Sequence, residues 1–576
     1  MNSNFLVRLR FVGGVVILIA LLIFAKLFFV QILHHANYSN EALSEYTSQG
    51  DSVYDRGTIY FTSADGTLIP AATLAVGYKL ILIPKSLKPG DADTLYTELN
   101  QYVPLDKDMF MSKAAKTDSS YQELADQLSE DVKNKITLLN LSSVRLETEK
   151  WRYYPGNTLA SQTLGFVGYT GDDLVGEYGL EREYNDVLSR SKADLYVNFF
   201  AELFTNLHKT LFQDPHAEGD IVTTIEPEVQ HTLETTLGDI MTKWQTEKAG
   251  GIIIDPKTGD ILAMGSLPDF DPNNFSSVKD LSVFTNPNIE NDYELGSIIK
   301  SLTMSAGIDS GSITTDTTYM DPGCMTINTE HICNFDRKAR GKTTMQTIFD
   351  QSLNMGATFI EQKTGKDTFR KYFYNFGVNQ KTGVDMPNEI QSLVSNLQST
   401  RDIEYATASF GQGIALTPVA AVRAFSALAN GGMTVAPRVV KDIQYADGFS
   451  RAIDHPAGVQ VIKPETALTV TRMLVKTVDT ALVGGTLKLD HYSVAAKTGT
   501  AQMALENGRG YYPDKYLHSM FGYYPAYNPR FLVLLYIINP HGANFSNQTF
   551  SAQTLGEPFM NLAKFLTTYY DVAPDR

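Results

Sequence analysis

The chain has 576 residues, 43% of them hydrophobic and 19% charged, and a formal net charge of −16. That length exceeds one ordinary domain, and the composition is that of a folded protein rather than a disordered one. The acidity, with no basic stripe along the chain, argues against nucleic acid as a partner.

Arg8 and Arg10 precede a run from Phe11 to Leu33 that is apolar apart from Lys26 and Gln31. This is the length of a bilayer span. Basic residues before it and Asn, Ser and Glu after it predict a cytoplasmic tail at 1–10 and a single transmembrane anchor at 11–33. The bulk of the chain then lies outside the cytoplasmic (inner) membrane. A cleaved signal peptide would have a shorter apolar core and a small-x-small site, which does not follow. Lys26 is expected to snorkel toward the outer headgroups or to contact a partner helix in the membrane.

Residues 36–220 read as a second segment. YDRGTIYFTSADGTLIPAA alternates around an Asp-Gly turn and predicts short strands. Residues 90–150 carry helical spacing, as in YQELADQLSEDVKNKITLL, and GEYGLEREYND opens a further helix. Leu195, Phe199, Phe200, Leu203, Phe204, Leu207 and Leu211 recur at helical spacing over 195–212. Such a face docks on its own protein or, if exposed, contacts a partner or the membrane surface.

From 221 to 576 the rhythm changes. TTIEPEVQHTLETTLGDIMTKW reads as a strand into a helix, and AGGIIIDPKTGDILAMGS as a hairpin. A helix is expected from Ser297, with others over about 343–376, 403–430 and 464–482. Strands at 492–497, 517–524 and 531–539 are expected to close the chain. Hairpins and terminal strands around a helical middle predict an α+β domain with an antiparallel sheet.

Cys324 and Cys333 are the two cysteines. Outside the cytoplasm a disulfide between them is permitted, and the sequence leaves it open. A metal site is disfavoured because only His331 lies nearby. The ten histidines form no cluster with ligand spacing, and no glycine loop precedes a helix as nucleotide binding requires, so no cofactor is expected.

Three short motifs occur in order: Ser297 and Lys300 in YELGSIIKSLTM, Ser352 and Asn354 in SLN, and Lys497 to Gly499 in AAKTGTAQ. Singly, each is weak. Ser-x-x-Lys recurs at Ser189/Lys192 and Ser276/Lys279, and Lys-Thr-Gly at Lys257, Lys363 and Lys381. Only the Lys497 copy ends a run of small and apolar residues that suits a strand edge. A serine hydroxyl needs a base within hydrogen-bond reach. A lysine serves as that base only if burial or a neighbouring cation lowers its pKa. Lys300 falls on the face of Ser297, and Lys497 is the candidate cation.

The ordered triple is a known signature of penicillin-binding proteins and serine β-lactamases. Together with RGTIYFTSADGTLI, RYYPGNTLASQTLGFVG, GEYGLERE, TTIEPEVQ, IIDPKTGDILAMGSLPDFDPN and FGQGIALTPVAAVRAFSALANGG, it resembles the class B penicillin-binding proteins over almost the whole chain. Three departures stand out: Leu295 replaces the family's proline, Ile299 a common phenylalanine, and 195–212 is longer and more apolar than usual. The resemblance implies a pedestal (dimerisation-type) domain at 36–220 and a transpeptidase domain at 221–576. It further implies that Ser297 attacks the carbonyl between the last two D-alanines of a peptidoglycan stem peptide, with Lys300 taking its proton. Ser352 would relay a proton to the leaving amine, and Asn354 would hold the donor's amide. Lys497 with Thr498, Gly499 and Thr500 would grip the substrate carboxylate or that of a β-lactam inhibitor. Backbone N–H groups of Ser297 and Thr500 would form the oxyanion hole. A multi-spanning membrane glycan polymerase and other division or elongation proteins are the implied partners. An idle scaffold, or a membrane-anchored β-lactamase or β-lactam sensor, is the competing reading.

Overall fold

The structure, a computed structural model, describes residues 55–171, 173–190, 218–445, 448–454, 456–505, 510–542, 545–546 and 549–576. The expected anchor at 11–33 and apolar helix at 195–212 lie outside these residues. Among the described residues no helix is long and apolar enough to cross a membrane. The described chain forms two compact units: Ala75–Trp151, and a larger one made of Arg56–Leu74 with Arg152–Arg576. By their contacts, residues 56–74 and 152–190 belong to the larger unit.

In the smaller unit, Gln122–Leu128 pairs with the second half of strand Leu68–Leu82, which Val144–Tyr153 also joins. Helices Lys107–Ala114 and Glu130–Leu138 start where Asp106 and Ser129 accept the N–H groups of Met109 and Val132. Leu80, Leu82, Leu95, Leu99, Phe110 and Ile136 form its core. The helical spacing read over 121–139 is therefore correct only in its second half. Residues 122–128 are drawn into a strand by the edge they pair with, which outweighs their own propensity.

The larger unit is built on a five-stranded antiparallel sheet. We label its strands β1 (Lys248–Ile254), β2 (Ile261–Leu267), β3 (Ala495–Ala504), β4 (Tyr511–Tyr524) and β5 (Phe531–Ile538). They lie in the order β3-β4-β5-β1-β2, so β3 is an edge. Every residue of β5 is buried, which explains its uninterrupted apolar run FLVLLYII. Alternation still sorts its faces. Val533, Leu535 and Ile537 pack with α1 (Pro227–Trp244) and the C-terminal helix Ser551–Tyr569, through Leu233, Leu237, Phe559 and Leu562. Leu532, Leu534 and Tyr536 face the opposite layer of helices, where Phe425 stacks on Phe521 of β4 at 3.9 Å.

That layer holds α2 (Lys300–Asp309), α3 (Asn354–Thr364), α4 (Pro418–Ala429) and α5 (Pro464–Thr480). The expected helix over 343–376 is three pieces, Met345–Asp350, Asn354–Thr364 and Lys366–Asn375. The break at 351–353 carries Ser352. The expectation that strands close the chain is corrected: helix Ser551–Tyr569, our α6, does so. Pro558 lies inside it. An interior proline costs about 3 kcal/mol, whereas each fully buried large apolar side chain returns about 1.5–3 kcal/mol. Leu555, Phe559, Leu562 and Leu566 are all buried, so packing wins.

Candidate active site

The glycine before Ser297 is used for its backbone freedom. Gly296 has φ +64°, in the left-handed region. Its N–H donates to the Gly411 carbonyl at 3.1 Å, and a Cβ on Gly411 would overlap the Gly296 carbonyl. Ser297 consequently sits on a 3-10 turn, Gly296–Ile299, and the α-helix begins at Lys300 rather than at Ser297 as expected. Residues three apart eclipse in a 3-10 turn, so Ser297 and Lys300 share one side of it. Ser297 is half-buried, while Lys300 is 1% exposed.

Lys300 Nζ reaches the Ser352 carbonyl at 2.6 Å, the Asn354 Oδ1 at 2.8 Å and the Ser352 hydroxyl at 3.3 Å. Ser352 is held at φ +53°, an uncommon conformation for a residue with a side chain, which turns both of its oxygens toward the lysine. From the other side, Lys497 Nζ donates to the Ser352 hydroxyl at 3.1 Å and to the Thr498 carbonyl at 2.9 Å.

Burial holds the Lys300 amine well below the usual lysine range, and the neighbouring Lys497 cation lowers it further. Burial also brings Lys497 down, to about 7, against the pull of Asp350. A neutral Lys300 satisfies all three partners. Its two N–H groups go to the carbonyl and the Asn354 oxygen, and its lone pair receives the Ser352 O–H. Lys497 then keeps its proton on the other side of the same hydroxyl.

β3 lies against the nucleophile turn. A Cβ on Gly499 would overlap the Leu295 carbonyl and the Ser519 hydroxyl, which donates to that carbonyl at 2.6 Å. Only glycine lets the strand approach so closely. A Cβ on Gly296 would in turn stand 3.1 Å from the Thr500 carbonyl. The Thr500 hydroxyl accepts the N–H of Ser551 at the start of α6, at 3.2 Å.

The structure thus gathers Lys300, Ser352, Asn354 and Lys497 into one hydrogen-bonded group and sets Gly499 and Thr500 beside the turn that carries Ser297. The other motif copies stand apart where the structure describes them. Lys257 lies in the β1–β2 turn, Lys363 ends α3, and Lys381 lies in a loop. Ser276 belongs to a surface 3-10 turn.

Several neighbours of the site were not tied to it by the sequence. Cys324 and Cys333 are joined by a disulfide across the hairpin Cys324–Ile327/Glu330–Cys333. The Cys333 carbonyl accepts the Asn354 Nδ2 at 3.0 Å. Glu294 accepts the Gly413 N–H at 2.9 Å and the Tyr511 hydroxyl at 3.2 Å, and burial pushes its carboxyl up to about 7. Gly411 and Gly413 belong to the FGQG stretch, which the sequence tied only to the family resemblance.

Fold and site together define a serine acyl-transfer enzyme. Residues 249–558 match the penicillin binding protein transpeptidase domain, and residues 53–211 the penicillin-binding protein dimerisation domain. The chain belongs to the penicillin-binding protein transpeptidase family, and the two domains in one chain make it a class B member. Among its relatives is Stage V sporulation protein D of Bacillus subtilis, 30% identical over 75% of this chain and 66% of that one. Another is peptidoglycan D,D-transpeptidase FtsI of Escherichia coli, 24% identical over 75% of this chain and 70% of that one. The fold is similar to that of penicillin binding protein 2X from Streptococcus thermophilus, with TM-score 0.71 at 21% identity over 90% of this chain and 81% of the other.

Proposed function

We propose that the chain is a peptidoglycan D,D-transpeptidase working through an acyl-enzyme on Ser297. The observation that carries this is the buried Lys300 amine, hydrogen-bonded to Ser352 and Asn354, three residues from a half-buried serine and in surroundings that favour its neutral form. Lys300 takes the Ser297 proton as Oγ bonds to the carbonyl carbon between the last two D-alanines of a stem peptide. The C–N bond then breaks, and D-alanine leaves with a proton relayed through Ser352. An amine of a second stem peptide attacks the ester, gives up a proton, and releases Ser297 as the cross-link forms. Asn354 holds the donor's amide. Lys497, Thr498, Gly499 and Thr500 hold its terminal carboxylate, and the N–H groups of Ser297 and Thr500 stabilise the oxyanion. A β-lactam offers a strained amide near a carboxylate and acylates the same serine.

Residues 11–33 anchor the enzyme in the cytoplasmic membrane, with the tail 1–10 inside and the catalytic part outside, beside a membrane glycan polymerase. The pedestal occupies 36–220 and the transpeptidase domain 221–576. Support for the substrate comes from the peptidoglycan D,D-transpeptidase among the relatives and from the motif residues meeting in one place.

The test is intact-mass spectrometry of the purified full-length protein in detergent, with and without penicillin, followed by peptide mapping. One adduct on Ser297 is expected, whereas an adduct on another serine would overturn the assignment. Absence of any adduct on folded protein would favour an idle scaffold. A second expectation concerns the strand: Gly499→Ala should push β3 off the Leu295 carbonyl and slow acylation on the order of a hundredfold, the usual cost of a displacement of about 1 Å. Unchanged kinetics would mean that the strand does not need this approach.

A further inference from the structure

Asn354 faces two ways. Its oxygen accepts from Lys300 Nζ at 2.8 Å, and its nitrogen donates to the Cys333 carbonyl at 3.0 Å. A carbonyl only accepts, so the NH2 of Asn354 must face Cys333 and its oxygen is left for the lysine. The next residue repeats the logic. Asn334 is 1% exposed, and its Nδ2 lies 2.9 and 3.0 Å from the two oxygens of Asp321. Asp321 is itself buried and also accepts from the Gly323 N–H and the Tyr319 hydroxyl. Its carboxylate fixes the Asn334 amide, whose Oδ1 accepts the Met355 N–H at 3.1 Å. The dipeptide Cys333–Asn334 therefore grips the first turn of α3 at two points, once by a backbone carbonyl and once by a side chain. Further hydrogen bonds hold the dipeptide: the Asn334 N–H donates to the Gly323 carbonyl at 2.8 Å, and its carbonyl accepts from Arg337 at 2.9 Å.

We propose that Asn334, backed by Asp321, is a positioning residue for transpeptidation: it fixes the start of α3 so that the Asn354 carboxamide presents its oxygen to Lys300. The role rests on the proposed reading of Lys300 as the base. Without the Asn334 side chain the start of α3 can shift relative to the Cys333 carbonyl, and the hydrogen bond from Lys300 to the Asn354 oxygen is weakened. Hydrogen bonds to an ammonium favour the charged form, so their loss makes the lysine easier to deprotonate while it is held less well. The charged group facing Lys300 is Lys497, which Asp350 faces in turn.

The experiment measures acylation by a fluorescent penicillin from about pH 5 to about pH 9, spanning both limbs of the profile, using full-length protein in detergent. Wild type, Asn334→Ala and the exchange Asp321→Asn/Asn334→Asp are compared, with thermal melting as the control for folding. Asn334→Ala should slow the acylation step on the order of 10–100-fold, leave the initial binding constant nearly unchanged and move the acid limb of the profile to lower pH. The exchange reverses which partner is the carboxylate yet still offers an acceptor to Met355, and it should restore most of the rate. Wild-type rate and limb in Asn334→Ala would overturn the inference, as would a folded exchange protein that stays slow. If Asn334→Ala does not fold, the exchange alone decides. Absence of a wild-type adduct on Ser297 would sink the base-and-nucleophile reading instead, and this inference with it.

Discussion

Ser297→Ala should abolish covalent labelling by penicillin completely, with an unchanged melting profile. The turn that carries residue 297 is shaped by Gly296, Gly411 and Gly499 rather than by the serine side chain, so removing one oxygen from a half-buried position leaves the fold intact. Labelling that persists in this variant, at any residue, would displace Ser297 from its role. Lys300→Met tests the other half of the pair. It keeps an unbranched apolar stem in the buried channel but removes the amine, and should slow acylation by about 10²- to 10⁴-fold, the range for a positioned base.

The pH dependence follows from the two lysines with opposite requirements. Lys300 acts when neutral, a form that burial and the neighbouring Lys497 cation favour; acylation falls as the pH drops and the amine is protonated. Lys497 holds a carboxylate when charged, and in the free protein it sheds its proton as the pH rises past about 7. The second-order rate constant, which reports the free enzyme, should therefore decline on both sides. A bound carboxylate restores the charge on Lys497, so the alkaline decline should fade at saturating substrate. A decline that persists at saturation would assign it to another group.

The chemistry was more legible than the scaffold around it, for a physical reason. A serine, a lysine three residues on and a second lysine before Thr-Gly are residue types that acyl transfer demands, and no core-packing need explains all of them in order. Ser352 and Asn354 were legible for the same reason. What holds them was not: Cys333 contributes a backbone carbonyl, which every residue type carries, and Asn334 acts through a contact 21 residues away in the chain. The 3-10 turn at Ser297 was read as the start of an α-helix, since the apolar spacing of YELGSIIKSLTM does not distinguish the two over four residues. β5 was found from its composition, because a strand buried on both faces must be apolar throughout. Strand Gln122–Leu128 was missed because QELADQL carries helix formers, and only the edge beside it makes it a strand.

Glu181→Ala should cost the protein about 3–5 kcal/mol of stability, the usual penalty for leaving a buried charge without its partner. Three stretches that stood out in the sequence, beginning YDRG, RYYP and GEYGLERE, meet at this residue. Glu181 receives Arg56 Nε and Arg152 Nε, each at 2.6 Å, and the Tyr154 hydroxyl at 3.2 Å. The side chains of Arg56, Arg152 and Glu181 are 1%, 5% and 0% exposed. Removing the carboxylate leaves two guanidinium groups in a dry site, whereas an exposed pair would lose under about 1 kcal/mol. Burial alone would push the Glu181 carboxyl up, but Arg152 and Arg56 hold it below the usual carboxylate range. A lowered folded-state pKa means the contribution is present in full above the unfolded carboxylate value and is lost as the pH falls through the folded one. Urea unfolding of wild type and variant should show the difference at pH 7 and a smaller one in acid. Equal midpoints at pH 7 would mean that water reaches the arginines once the glutamate is gone. Because all three residues belong to the unit that also carries Ser297, their loss should lower the yield of acylable protein without changing the acylation rate of the molecules that remain folded.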